Sequence, residues 1–198
     1  IPAGVWSIKS WQAVFFQHQG DNNILTCKAE APPAGWQHPL SRSPVMYSRA
    51  LVPKTFAVPA RIDGHGFHLR MLTVHDVIKD FAAVMDCLDW LPGLMEPGSN
   101  WPRGLTIDEN LIDLGWHQRE FTQRHSFAYT VMNDDESRCL GCCYLYPSDR
   151  PAFDAMAFYW ARDRRLDEEL GNVLRSNLRN WPLKRIAFPG RDIAWEQW

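Results

Sequence analysis

The chain has 198 residues, 45% of them hydrophobic, and a formal net charge of -2. That length fits one domain, or one domain with an appendage, and is enough to bury a core. The charge gives no bulk drive toward nucleic acid or an acidic membrane surface, and no apolar run approaches the ~20 residues of a membrane span.

The first residues, Ile1 to Trp6, lack a basic stretch and a long apolar run, so they make a poor signal peptide. Five cysteines, an odd number and thinly spread, fit a reducing compartment, and the cytoplasm is the expected location. Ten tryptophans are many for this length, and core and interface filling explains most of them.

Residues 1–66 carry Pro32, Pro33, Pro39, Pro44, Pro53 and Pro59 with Gly35, Gly64 and Gly66, punctuation that prevents long helices. Residues 11–18 and 23–30 can pair as a hairpin across Gly20-Asp21-Asn22, and 31–61 reads as an extended arm. We therefore expect an N-terminal extension over 1–66 and a folded domain over 67–198.

From Phe67 the pattern becomes regular. Phe67 to Leu72 alternates as a strand. Thr73-Val74-His75-Asp76 has the form of a capping box, in which hydroxyl and carboxylate satisfy the orphan N–H groups of a helix start. Val77, Phe81, Val84, Met85 and Leu88 follow on one face, and Pro92-Gly93 ends the helix. A second capping box, Thr106 to Glu109, opens a helix with Ile107, Leu111, Leu114 and Phe121 as its apolar line, ending near Arg124. Strands are expected at 126–132, 139–146 and 153–161, joined by Asn133-Asp134-Asp135 and Pro147-Ser148-Asp149 turns, which makes an antiparallel meander.

The stretch 154–188 then reads strand, basic turn, helix, strand. Ala155 to Trp160 is an apolar run, and Arg162-Asp163-Arg164-Arg165 turns out of it. Leu166, Leu170, Val173, Leu174, Leu178 and Trp181 repeat at helical spacing, and Arg185 to Phe188 closes as a strand. A strand that feeds a helix N-terminus through a basic turn is a ready anion site.

The order β-α-α-β-β-β-α-β over 67–190 resembles the GNAT (GCN5-related N-acetyltransferase) superfamily, an α/β (α+β) fold with a mixed sheet. Phe67 to Thr73 with Asp76, Ser126 to Val131, Cys139 to Pro147 and Ala157 to Arg162 carry the likeness. The resemblance implies acetyl-CoA, or another acyl-CoA, as cofactor, held between strands 154–161 and 184–188. It implies cofactor contacts from Trp160, Arg162, Arg164 and Arg165, the three arginines on the phosphates.

Two features depart from the family pattern. The phosphate turn of the family is glycine-rich, whereas Arg162 to Glu169 has three arginines, four acidic residues and no glycine until Gly171. A solvated helix start and a cofactor site both stay open for it. The pattern also lacks the helix and two strands that follow the last strand in the family, and no tyrosine follows Tyr159 to act as acid. The fold is therefore expected to be truncated, with a sheet edge covered by residues 1–60 or by a second subunit in a homodimer.

Acyl transfer from a thioester to an amine needs a base and donors for the developing oxyanion. Candidates are His117, Glu120 and Tyr146, with Tyr129 and Tyr159 behind them. His117 and Glu120 stand three apart on a helix and can pair, either as a site or as a surface pair. Tyr144 and Tyr146 share one side of their strand, and Cys143 and Leu145 the other. By the same alternation Cys142 and Cys143 point apart, so Cys139-Leu140-Gly141-Cys142-Cys143 reads as buried small side chains and not as a metal site. His65 and His68 beside Asp63 are a weaker pattern of the same kind.

The reading is an acyl-CoA-dependent N-acyltransferase acting on a small-molecule or peptide amine, with no nucleic-acid or membrane partner. The alternative is a catalytically inactive protein of the same fold, serving as a binding or assembly module.

Overall fold

The computed structural model describes residues 49–95 and 98–189, and the backbone of 193–196. The hairpin expected over 11–30, and the arm as far as residue 48, lie outside the described residues. No described helix is long and apolar enough to cross a membrane.

The described strands form one seven-stranded sheet in chain order: β1 (Arg61–Asp63), β2 (Phe67–Met71), β3 (Phe127–Asn133), β4 (Cys139–Pro147), β5 (Ala155–Ala161), β6 (Arg185–Phe188) and β7 (Ile193–Glu196). Every neighbouring pair is antiparallel except β5 and β6. That parallel pair requires a crossover, which α3 (Arg164–Leu178) supplies. Helices α1 (Val77–Met85) and α2 (Ile107–Gln123) lie between β2 and β3 in the chain.

Strand alternation divides the core in two. One cluster joins Phe67, Leu69, Phe127, Tyr129, Val131, Cys143, Leu145, Ala157 and Tyr159 to Leu170, Leu174 and Leu178 of α3. The other joins Ala128, Met132, Cys142, Tyr144, Tyr146, Phe158 and Trp160 to Ala83 and Val84 of α1 and Leu114 of α2. Burying a large apolar side chain fully is worth about 1.5–3 kcal/mol, so these two layers carry the fold. Gly171 lets α3 lie close, since a Cβ there would sit 2.4 Å from the Tyr159 hydroxyl.

Residues 51–60 are irregular but anchored. Leu51 N–H donates to Arg124 O at 2.8 Å, Tyr129 donates to Pro59 O at 2.9 Å, and Phe56 meets Trp181 with ring centroids 5.2 Å apart. β1 then turns back onto β2, pairing Arg61 with Arg70 and Asp63 with His68.

Three expectations need correction. First, α1 stops at Met85, short of Pro92-Gly93; its expected face does meet the core through Val77, Val84 and Met85, and Asp80 and Ala83 are buried with them. Second, Ile107 and Leu111 are exposed, and α2 buries Asn110, Leu114 and Glu120. In both helices a polar side chain turns inward because a partner waits: Asn110 donates to Asp80 at 3.0 Å, and Glu120 is met by Arg119 and His125. Third, the edge of β6 is not left open. β7 pairs with it from Arg185–Glu196 to Phe188–Ile193, so the edge moves one strand outward.

Candidate functional site

The site begins at the one parallel pair. β5 and β6 pair only at Ala155–Ile186 and Met156–Ala187, although β5 continues to Ala161 and β6 to Phe188. Among the described residues no strand pairs with β5 on that side beyond Met156, which leaves a gap in the strand pairing from Ala157 to Ala161. β4 holds the other side of β5 along its whole length, from Pro147–Ala155 to Gly141–Ala161.

The basic turn closes the far end of β5, and its three arginines part company. Arg162 is drawn back over β4: its Nε donates to Cys139 O at 2.8 Å, and its guanidinium pairs with Asp86 just past α1. Arg164 and Arg165, the first two residues of α3, are exposed. Asp163 is the N-cap, and its carboxylate accepts from Leu166 N–H at 2.8 Å. The helix start thus carries an acid on one of its orphan N–H groups and two exposed cations beside it. Trp160 is fully buried in the layer beneath α1 and α2.

At the near end of the gap an aromatic wall stands on the α1–α2 face. Tyr144 and Tyr146 are stacked with centroids 6.0 Å apart and planes 6° from parallel. His117 of α2 lies 5.2 Å from the Tyr144 ring and 6.4 Å from Tyr146, with Trp116 4.9 Å from His117. Phe158 extends the wall at 6.0 Å from Tyr146. The register ties the wall to the gap: Tyr146 pairs with Met156, and Met156 is the last residue of β5 paired with β6. Burial pushes the Tyr144 hydroxyl well above its ordinary range, so it stays a neutral donor.

Of the expected catalytic residues, the structure brings His117 and Tyr146 together and turns Glu120 elsewhere. Arg124 at the end of α2 takes a left-handed backbone with φ 63°, which returns His125 toward the helix. His125 N–H then donates to Glu120 O at 3.0 Å, and its Nδ1 lies 3.1 Å from the Glu120 carboxylate. Tyr129 and Tyr159 belong to the opposite layer, under α3. Burial, with Cys143 next in effect, raises the Tyr129 hydroxyl, which caps Pro59 O. Tyr144 stands on the strand face it was expected to share with Tyr146.

A polar cluster that sequence reasoning also missed fixes the start of α1. Arg70 on β2 grips Asp76 with two hydrogen bonds, at 3.0 and 2.8 Å, and Glu136 with two more at 3.0 Å. Glu136 in the β3–β4 turn also meets His68 Nε2 at 2.9 Å, while Asp76 accepts from Thr73 N–H and hydroxyl, each at 2.9 Å. Burial alone would raise the Asp76 carboxyl, but Arg70 and Thr73 outweigh it and hold it below its ordinary value.

No family model matches the sequence, and no curated protein is similar to it in sequence. Solved structures are similar in fold. RimL, a ribosomal L7/L12 α-N-protein acetyltransferase, superposes in its coenzyme A complex with a TM-score of 0.52 at 14% identity, over 64% of this chain and 72% of RimL. Apo RimL gives 0.51 at 15% identity, over 69% of this chain and 75% of that one. RimJ from Mycobacterium smegmatis, in complex with a CoA disulfide, gives 0.50 at 14% identity, over 67% and 68%. Strand order, the single parallel pair and these likenesses together give the chain the fold of the GNAT N-acetyltransferases.

Proposed function

We propose that the chain is an acyl-CoA-dependent N-acyltransferase that transfers an acetyl or other acyl group to the amine of a small molecule or peptide. The observation that carries this is the gap between β5 and β6, with a basic helix start at one end and an aromatic wall at the other. The similarity to RimL and RimJ, both described with coenzyme A species bound, supports it.

The residues present fit an extended, amide-bearing thioester with an anionic end. The edge of β5 beyond Met156 faces the gap, and a strand edge is a natural partner for an extended chain of amides. Arg164 and Arg165 stand where phosphates would meet the positive end of α3. Bound there, acyl-CoA would supply an activated acyl group. His117 and Tyr146 would take up and pass on the proton of the incoming amine, and Tyr144 would donate a hydrogen bond beside them. The buried ring of Phe158 and the half-buried ring of Trp116 would limit the access of water to the reacting atoms.

Acetyl-CoA should raise the melting temperature of the chain, and Arg164→Ala with Arg165→Ala should remove the shift. No shift with any acyl-CoA would favour the inactive binding module instead. Asp163→Asn gives a sharper test. Asparagine caps helices as well as aspartate does, so stability should hardly change. Removing one negative charge near the phosphates should tighten coenzyme A binding several-fold, about 1 kcal/mol, as read by calorimetric titration. Unchanged or weaker binding would place the phosphates away from this turn.

A further inference from the structure

Asp80 of α1 and Cys139 and Cys142 of β4 bring one carboxylate oxygen and two sulfurs within 4.8 Å of one another, all three residues buried. A regular strand would point Cys139 and Cys142 to opposite faces, because they are three apart. β4 is not regular here. Val131 pairs with Gly141 and Met132 with Cys139, so Leu140 is an extra residue. This bulge turns Cys139 onto the same face as Cys142, and Asp80 reaches both from the helix above.

We infer that Asp80, Cys139 and Cys142 form a structural site for a single divalent, thiophilic cation, with zinc as the first candidate. A tetrahedral zinc ion with sulfur at about 2.3 Å and oxygen at about 2.1 Å sets its ligand atoms roughly 3.5–3.8 Å apart. Cys142 Sγ and Asp80 Oδ1 already lie 3.2 Å apart, and the third ligand atom lies no more than 4.8 Å from either. Rotations of the side chains by about an ångström close the cage. The fourth position falls to the Thr130 hydroxyl, 3.4 Å from Cys139 Sγ, or to one water. Asn110 donates to the other oxygen of Asp80 at 3.0 Å, the kind of outer contact that orients a carboxylate ligand.

Binding a dication would release the protons of the two thiols to solvent, and the Asn110 amide would stay on the outer oxygen of Asp80. The ion would tie α1 to β4, and through Asn110 to α2, behind the aromatic wall. This site is independent of the acyl-transfer reading, since none of its residues lines the β5–β6 gap.

The test is metal content of the full chain, expressed with added zinc and purified without chelator. Close to one zinc per chain is expected by mass spectrometry, and cobalt loading should give the near-ultraviolet sulfur-to-cobalt absorption of thiolate ligation. Cys142→Ser and Cys139→Ser should each weaken zinc binding roughly tenfold or more, and Asp80→Asn likewise. Cys143→Ser, on the opposite face, should keep the metal. If the ligand variants do not fold, titration of the unaltered chain with a mercurial carries the test, with one zinc released by the time all five thiols are modified and none released overturning the inference. A chain that takes up neither zinc nor cobalt overturns the inference. So does a mass lighter by two hydrogens, which would mark a Cys139–Cys142 disulfide, or zinc that survives Cys142→Ser.

Discussion

Replacing Arg70 with alanine should destabilise the chain by roughly 3–5 kcal/mol at neutral pH, the range for removing one partner of a buried ion pair. Asp76 keeps only 4% of its side chain exposed, and Arg70 only 25%. Without the guanidinium, the Asp76 carboxylate would stay buried with Thr73 as its only donor among the contacts described. Glu136 is 40% exposed and water can replace its lost partner, so it adds little. For a chain of this size the loss corresponds to a drop of about 6–20 °C in melting temperature.

The pH dependence gives the signature. Asp76 has a folded-state pKa below its ordinary value, so its pairing stabilises the fold above the ordinary carboxylate range. That contribution is lost as pH falls through the folded value. In Arg70→Ala the same carboxyl is buried unpaired and binds a proton more readily, so acid relieves its penalty. The stability difference between the two proteins should therefore shrink from pH 7 toward pH 3, as read from urea unfolding. Arg70→Lys should recover only part of the loss, because an ammonium cannot engage both carboxylates as a planar fork does. A loss under about 1 kcal/mol at pH 7, or one independent of pH, would show that Arg70 is a surface contact.

Gly141→Ala should cost about 3 kcal/mol or more, the upper part of the range for overpacking. A Cβ at Gly141 would sit 2.1 Å from Trp160 O and 2.8 Å from Ala161 Cα. Both are backbone atoms, so no side chain can swing aside, and β4 must part from β5 at this point. The parting would break the Gly141–Ala161 and Cys142–Trp160 pairing and the bond from Arg162 N–H to Leu140 O at 2.8 Å. It would also undo the bulge that sets Cys139 beside Cys142, and loosen the turn that starts α3. Gly115→Ala is the control. Its Cβ would meet only Val74 Cγ1 at 3.8 Å, and a helix-interior glycine gains up to about 1 kcal/mol on becoming alanine. Equal melting temperatures for the two variants would refute this account of the β4–β5 contact.

Local signals in the sequence carried most of the architecture. The Thr106–Glu109 capping box is present, with Glu109 N–H on the Thr106 hydroxyl at 3.2 Å and Thr106 N–H on the Glu109 carboxylate at 2.8 Å. The last crossover, from the 155–161 strand through Leu170 and Leu174 to Arg185–Phe188, stands as its periodicity implied. Tyr144 and Tyr146 share a face, and Cys143 faces the other way. The expected face of α1 holds, with Val77, Val84 and Met85 in one core cluster, and what failed was the apolar line of α2, where Ile107 and Leu111 are exposed. Periodicity counts apolar residues and says nothing of Asp80, Asn110 and Glu120. Each is buried because a residue distant in sequence, or returned by a turn, offers it a partner.

By itself the sequence determined the order of elements, their types and the two faces of the strands, since these follow from spacing along the chain. Tertiary structure alone decided the geometry of the candidate site. Whether β5 and β6 separate depends on a register between strands some thirty residues apart. Whether Arg162 faces a phosphate or Asp86 depends on where α1 ends above β4. Whether Cys139 and Cys142 share a face depends on one bulged residue, and whether Asp80 reaches them depends on the helix above. Such contacts join residues that no local pattern connects, and a one-residue change in strand register reverses them.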